Sequence, residues 1–445
     1  MAIHRYRSVG LPPVTTQSDP GKLVVTADVA PPAAGRNMTV NSISLIGSSL
    51  LTGILGLVFW GAAGRMYPAA EVGVAAALIT SALMLSMLSM LSIDTIYERF
   101  LPLAGERAGS LIKRGYVTVA GTALLAGWAL VAFGPREKLF TSQWAMVCYP
   151  LLVMVLAVFT LLDKTAVGLG VTKWSAVKNL IHAIVKLALL FGLVWTGSGA
   201  SIVLAWGATA AAGTLLVLAA MRRRWRTHSQ FSRPSELPAR AQLLSYVGSS
   251  FGITTLWIIG PLIVPLVIVS RFGAAANAHF AVTWAIINAL YFAVHLVMSP
   301  FVAEVAAHPD KVAALSTRMV QMMAVVSIVG SLGLVLVGPY VLDLIGPDYR
   351  AQGQGLLVLA AVFVPLSAVS AVYEGFARVS RKLTLMVVMR CVATIVVVAG
   401  TLMVTTRTGV IGVGWAYLAA EAIPAVILLP FVIRWLRKAK ALGTA

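Results

Sequence analysis

Two lysines and a histidine stand inside an apolar stretch long enough to cross a bilayer. The stretch runs from Trp174 to Trp195, WSAVKNLIHAIVKLALLFGLVW, and about 22 residues at a rise of ~1.5 Å cover the roughly 30 Å hydrocarbon layer. At about 100° per residue, Ser175, Lys178, Asn179, His182 and Lys186 share one face of a helix, while Val177, Leu180, Ala183, Ile184 and Leu187 lie opposite. Lys178 is about one turn from the Trp174 end, within snorkelling reach of the surface. Lys186 sits near the middle, where an ammonium costs about 3 kcal/mol or more. It therefore calls for a polar cavity, a carboxylate or an anionic ligand. Asp94 and Asp163, the acids to consider in the first half, fall near segment ends, too shallow for an obvious pairing with Lys186. A phosphate or diphosphate suits the compact lysine charge. Lys178, His182 and Lys186 are thus a candidate anion site, against the alternative of snorkelling plus a resident carboxylate.

The second half offers two further constellations. Arg390 and Glu421 fall near the middle of consecutive apolar segments; mutual pairing is the simplest account, since an unpaired buried charge is worse. The functional version makes Glu421 a site of proton or cation coupling. Trp284, Asn288, Tyr291, His295 and Ser299 follow one another at spacings of four, three, four and four, a stripe that either lines a path for sugars or packs helices together. Glu374 and Arg378, four apart, read as an intrahelical pair. Gly260-Pro261 and Pro265 predict a kink or break.

These residues must be held by a membrane-embedded scaffold. In 445 residues the hydrophobic share is 59% and the charged share 11%, with mean hydropathy +0.90, which excludes a soluble fold and predicts a polytopic, all-α membrane protein. The net charge of +19 comes from basic residues at the ends of apolar segments, where topology signals and contacts to anionic lipid belong, so no nucleic-acid partner is expected. Cys148 and Cys391 both lie in apolar segments and read as packing residues, with no metal cluster in view. No Gly-rich nucleotide loop is present, and an enzyme is not expected.

Twelve apolar segments are predicted, at 40–62, 72–93, 115–133, 144–162, 174–195, 200–220, 243–269, 277–303, 319–342, 354–377, 383–404 and 410–433. Alternating sides, 25 of the Lys and Arg residues fall on one side and 6 on the other, which places both termini in the cytoplasm. The expected organisation is a disordered tail (1–38), a six-helix lobe (39–221), a basic cytoplasmic linker (222–242), a second six-helix lobe (243–436) and a short tail (437–445). The halves share features in register: Gly47-Ser48-Ser49 and Gly248-Ser249-Ser250 open their first helices, and Lys173 and Trp206 match Lys382 and Trp415 at one offset. An even number of helices per half relates the repeats by a pseudo-two-fold axis along the membrane normal.

Several short stretches sharpen this picture. Asp94-Thr-Ile-Tyr-Glu-Arg99-Phe-Leu-Pro102 follows the second segment, Arg271-Phe-Gly273 the seventh, and Ser299-Pro300-Phe-Val-Ala-Glu304 ends the eighth. Gly346-Pro-Asp-Tyr349 precedes the tenth segment, and Gly409-Val-Ile-Gly412-Val-Gly-Trp-Ala416 opens the twelfth. With these, residues 40–436 resemble the polysaccharide (Wzx-like) branch of the multidrug/oligosaccharidyl-lipid/polysaccharide (MOP, MATE-like) transporter superfamily. The resemblance implies two six-helix lobes forming a V around a cationic cavity. It also implies a flippase that carries a polyprenyl-(di)phosphate-linked oligosaccharide across the bacterial inner membrane by alternating access for cell-surface polysaccharide synthesis. On that reading Lys186, His182 and Lys178 attract the phosphate, Asn288, His295, Tyr291 and Trp284 accommodate sugar, and Glu421 with Arg390 carries coupling. No cofactor is expected beyond H+ or Na+ coupling, and glycosyltransferases or a polymerase of the same pathway are the expected protein partners. Where relatives carry charge on the first helix, this chain has Asn41, Ser44, Ser48 and Thr52, a departure that also weighs against a drug exporter. A cation-coupled small-molecule or multidrug antiporter is the alternative; an integral glycosyltransferase is disfavoured by short outer loops.

Overall fold

In lipid every backbone N–H and C=O must find its partner inside the protein, and α-helices do this within one segment. The computed structural model describes residues 51–443 apart from 141, 226–233, 236, 238–239, 297, 299–300, 302–303, 306–310, 381–382 and 405–407. The N-terminal tail, the Gly47 repeat motif, Asn41, Ser44 and Ser48 of the first segment, and most of the basic linker lie outside the described residues.

Among the described residues the regular structure is helical throughout. The first half contains α1 (Leu51–Met66), α2 (Ala69–Ser89), α3 (Ile93–Phe100), α4 (Ala108–Phe133), α5 (Gln143–Gly168), α6 (Thr172–Gly192) and α7 (Gly199–Trp225). The second contains α8 (Arg240–Phe272), α9 (Ala274–Leu296), α10 (Val312–Leu336), α11 (Gly338–Ile345), α12 (Pro347–Ser380), α13 (Thr384–Met403) and α14 (Gly409–Gly443). Ten of these are long and apolar enough to span a membrane, and shorter apolar helices, Leu51–Met66 and Ile258–Phe272, occupy two more of the predicted positions. The chain is a multi-pass membrane protein. Short α3 lies between spans, its buried Tyr97 donating to the Ile112 carbonyl at 2.8 Å. The break between α2 and α3 puts Leu91 and Ser92 at φ 47° and 60°, a left-handed turn that non-glycine residues rarely adopt.

Of the kink or break expected at Gly260-Pro261 and Pro265, the break does not occur, since α8 runs through both prolines. A second expectation is corrected. Cys148 is exposed on the helix surface and is not a packing residue; Cys391 is half-buried.

The outward faces are apolar, as lipid contact demands. On α10, Val325, Ile328, Val329 and Leu332 are exposed, while Ser316, Met319, Met323 and Ser327 turn inward at helical spacing. One buried core joins α2, α3, α4 and α5 through Ala77, Tyr97, Val119 and Leu156. A larger one runs through α9, α12 and α14 and takes in Phe59, Ala63 and Val72 from the first half.

Helix α2 is the bridge, packing against α9 and α8 of the second half. The approach is close because Gly73 has no side chain: a Cβ there would lie 1.7 Å from the Ala274 carbonyl oxygen. Asn277, fully buried, donates its amide to the Gly73 carbonyl at 2.7 Å. At the tip of α1, Gly64 fits beneath Ile345 and Tyr349, and Arg65 donates to the Leu344 carbonyl at 3.0 Å. Lys138 donates to the Ser270 carbonyl. All these links lie at the end opposite the basic loops, so the two halves are sealed together there.

Candidate substrate site

Helix α6 turns its polar strip inward: Ser175, Lys178, His182 and Lys186 are all buried. The two lysines, however, meet different surroundings. Lys178 has a resident acid, its Nζ lying 3.0 Å from Asp163 Oδ1 on α5 and donating to the Phe159 carbonyl at 2.5 Å. Ser175 and Asn179 also donate to Asp163, at 2.5 and 3.1 Å. With the ammonium 3.3 Å from the centre of the Phe159 ring, its donors are spent. Lys178, its side chain only 2% exposed, is one arm of a buried ion pair, the arrangement that the alternative of a resident carboxylate describes.

Lys186 has no such acid. Among the described residues no carboxylate stands within 4.0 Å of its Nζ; its neighbours are aromatic faces, Trp206 at 3.5 Å and Phe59 at 5.2 Å from ring centres. Trp60 completes the group, 5.5 Å from Phe59 and 6.0 Å from Trp206. A desolvated cation over an indole face gains about 2 kcal/mol, less than the several kcal/mol that burial of an ion costs. The cage holds the charge in place without neutralising it.

His182 sits between the lysines, with Phe159 at 4.9 Å and Trp206 at 6.1 Å between ring centres. The Thr209 hydroxyl donates to the Ala205 carbonyl at 2.7 Å, and so accepts the Nδ1 proton of His182 across 2.9 Å. This assigns the ring its Nδ1–H tautomer and leaves Nε2 as an acceptor. Sequence reasoning missed Phe59, Phe159, Trp206 and Thr209 as the surroundings of the strip.

A groove of about 830 Å³ opens beside the strip. Its place differs from the expected cavity between two lobes: it lies between α6 and α7 of the first half, and Lys178, His182 and Thr209 form its polar floor while Lys186 does not reach it.

In the second half, Tyr291 donates its hydroxyl to Glu421 Oε1 at 3.1 Å. Arg390, Glu421 and Ser370 line a common cavity of about 20 Å³, room for one water molecule. The stripe on α9 is split. Trp284 stacks into a cluster with Tyr417 (4.3 Å), Phe363 (6.3 Å) and Tyr291 (6.2 Å), and His295 donates Nδ1–H to the Tyr291 carbonyl at 2.9 Å. Asn288 is exposed, and Ser299 lies outside the described residues. Glu374 and Arg378 pair as expected, at 2.6 Å. The repeat match of Trp206 with Trp415 is one of position and not of surroundings, since Trp415 is exposed. At the basic end Lys164 pairs with Glu98 at 2.6 Å. Burial pushes the Asp94 carboxyl above its ordinary range, and the Thr95 backbone N–H and the Lys164 ammonium only partly offset this.

No family model matches the chain, and no curated protein matches it in sequence. Solved structures do match in fold. An inward-facing multidrug resistance MATE family transporter of the MOP superfamily superposes with TM-score 0.62 at 11% identity, covering 88% of this chain and 96% of that one. The lipid II flippase MurJ, in an inward closed conformation, gives 0.66 at 11% identity over 90% of each chain. The MATE multidrug transporter DinF-BH, solved as a complex, gives 0.57 at 14% identity over 93% of this chain and 97% of that one. The fold of this chain is that of the MOP-superfamily transporters.

Proposed function

We propose that this protein is a flippase of the polysaccharide (Wzx-like) kind, moving a polyprenyl-(di)phosphate-linked oligosaccharide from the cytoplasmic to the outer leaflet. The observation that carries the reading is Lys186, a buried mid-helix ammonium caged by Trp206 and Phe59 with no acid in reach among the described residues. A cation held this way is completed by an anion that comes and goes, and a lipid phosphate brings that charge while its chain stays in the bilayer. His182 fixes the depth of the site through Thr209, and Lys178 with Asp163 anchors α6 to α5.

Helix α1 links access to conformation. Its tip, Gly64 and Arg65, makes the seal with Ile345, Tyr349 and Leu344. One to two turns away, Phe59 lies over Lys186, with Trp60 packed against Phe59. With the basic loops in the cytoplasm, this seal closes the outer side. Movement of α1 on opening uncovers the ammonium as the exit forms, which is the coupling alternating access requires.

A cation-coupled antiporter is the second reading, favoured by one feature: Glu421, a buried carboxylate receiving Tyr291 and sharing a water-sized cavity with Arg390. Reconstitution separates the two. In proteoliposomes, Lys186→Ala is expected to abolish flipping of a polyprenyl-diphosphate-linked glycan while expression and folding survive. Unchanged flipping would remove Lys186 from the mechanism, and ion-driven drug accumulation without flipping would establish the antiporter.

A further inference from the structure

The groove between α6 and α7 has a shape that the Lys186 site does not explain. It begins at the basic end, with exposed Lys173 and half-buried Trp174 at its rim, and follows α6 through Ile181 and Val185 to Leu189. Its deeper part is open where α7 offers the small side chains Ala208, Ala212 and Gly213, while Leu216 and Val217 line it nearer the basic end. Its polar floor offers no donor to an anion: Lys178 is spent on Asp163 and Phe159, and the Nδ1 proton of His182 on Thr209. An occupant therefore needs an apolar body, with an anionic group only at the rim. There Lys173 stands, and the sequence places Arg222, Arg223 and Arg224 just beyond Ala220, the last groove residue of α7.

Length narrows the occupant further. From Lys173 to Leu189 the helix rises about 24 Å at ~1.5 Å per residue, whereas one leaflet of a roughly 30 Å hydrocarbon core is only about 15 Å deep. An ordinary acyl chain that stops at the midplane leaves the far third empty, and a chain longer than a leaflet fills it.

We infer that this groove is a docking station for the long isoprenoid chain of a phosphate-headed lipid, which lies along α6 and α7 with its phosphate at Lys173 before the head group moves to Lys186. The inference rests on the flippase reading for the identity of the lipid, and it adds a second, separate place where the protein grips it. The chain passes from one apolar medium to another, so the grip comes from packing and from the rim charge.

The test uses the full-length protein in nanodiscs with a polyprenyl phosphate bearing a photoreactive diazirine on its chain, and adducts mapped by peptide mass spectrometry. Adducts are expected on the groove walls around Ile181, Val185 and Ala212, displaced by unlabelled polyprenyl phosphate and not by the same amount of phosphatidylglycerol. Ala212→Trp, and separately Ala208→Leu, fill an exposed part of the groove and are expected to cut groove labelling by roughly threefold to tenfold, the scale of lost packing between two apolar media. Adducts elsewhere, equal displacement by phosphatidylglycerol, or undiminished labelling in folded Ala212→Trp each overturn the inference. A short-chain prenyl diphosphate, too short to use the groove, isolates the head-group site. Its binding is expected to survive Ala212→Trp and to fall in Lys186→Ala; survival in Lys186→Ala defeats the head-group reading while leaving groove labelling as its own result.

Discussion

Adding one carbon at Gly73 should open the seal between the halves. In the sealed state a Cβ there would stand 1.7 Å from the Ala274 carbonyl oxygen and 3.0 Å from the Ala278 nitrogen. Ordinary contact begins at 3.4 Å, so α2 and α9 must part by well over 1 Å (roughly the shortfall in contact distance at these densities). That separation breaks the 2.7 Å bond from Asn277 to the Gly73 carbonyl. The bond contributes about 1 kcal/mol, and the amide left buried costs about 1–3 kcal/mol more. Gly73→Ala should therefore disfavour the sealed state by about 2–4 kcal/mol, a shift of roughly 30- to 1,000-fold in its ratio to open states. Gly61→Cys is a suitable reporter, because its Cβ would meet Ile345 only at 3.6 Å, in a background with Cys148 and Cys391 replaced by serine. Labelling by an impermeant maleimide from the side opposite the basic loops should accelerate in both Gly73→Ala and Asn277→Ala, with the elution profile and thermal midpoint showing a folded protein. Unchanged labelling in both folded variants would refute the reasoning.

Three further outcomes are expected. Asp163→Ala leaves the Lys178 ammonium buried and unpaired, a loss of about 3–5 kcal/mol, whereas the double change Asp163→Leu with Lys178→Met should recover much of the thermal midpoint in detergent; equal damage from both would show that the pair matters for something other than its charge. Tyr291→Phe removes the hydroxyl given to Glu421 and should cost about 1.5–3 kcal/mol, while Glu421→Gln, which still accepts from Tyr291, should cost less, as read by denaturation in the same detergent. Asp94 is held above the ordinary carboxylate range by burial, so its folded form favours the proton. Its ionisation weakens the fold as pH rises. Asp94→Asn should accordingly melt higher than the parent at neutral pH, with the gap closing as pH falls through the carboxylate range; a gap that widens on acidification would contradict this.

The membrane spans were legible because an apolar run of this length has few other uses. Their ends were not. The predicted 319–342 segment is broken at Val337–Gly338, before Pro339, into α10 and α11, and α12 begins at Pro347 with a polar turn that hydropathy alone passes over. Glu374 and Arg378 were readable from spacing, since both lie on one helix. The surroundings of α6 carried a signal of a different kind. Antiparallel neighbours joined by a short turn face each other at equal distances from it: Asp163 and Lys178 lie equally far on either side of the Gly170–Val171 turn, and Lys186 and Trp206 equally far on either side of Thr196. Folding the sequence about those turns pairs Lys178 with its acid and Lys186 with its indole. Judging Asp163 by its depth from the segment end, without placing Lys178 at that same depth, missed the pair. No such rule reaches Gly73 and Asn277, whose contact comes from the docking of distant helices.

The central claim is that the Lys186 ammonium is completed by a phosphate carried in on a lipid. It is tested most directly by solid-state NMR of the protein in lipid, with 15Nζ-labelled lysine and a polyprenyl diphosphate observed through 31P, Lys186→Arg serving to assign the signal. A charge-assisted N–H···O contact places nitrogen and phosphate oxygen about 2.7–2.9 Å apart, so strong 31P–15N dephasing is expected at Lys186 and none at Lys178. Dephasing confined to the surface lysines, or a Lys186 resonance indifferent to the lipid, would contradict the account.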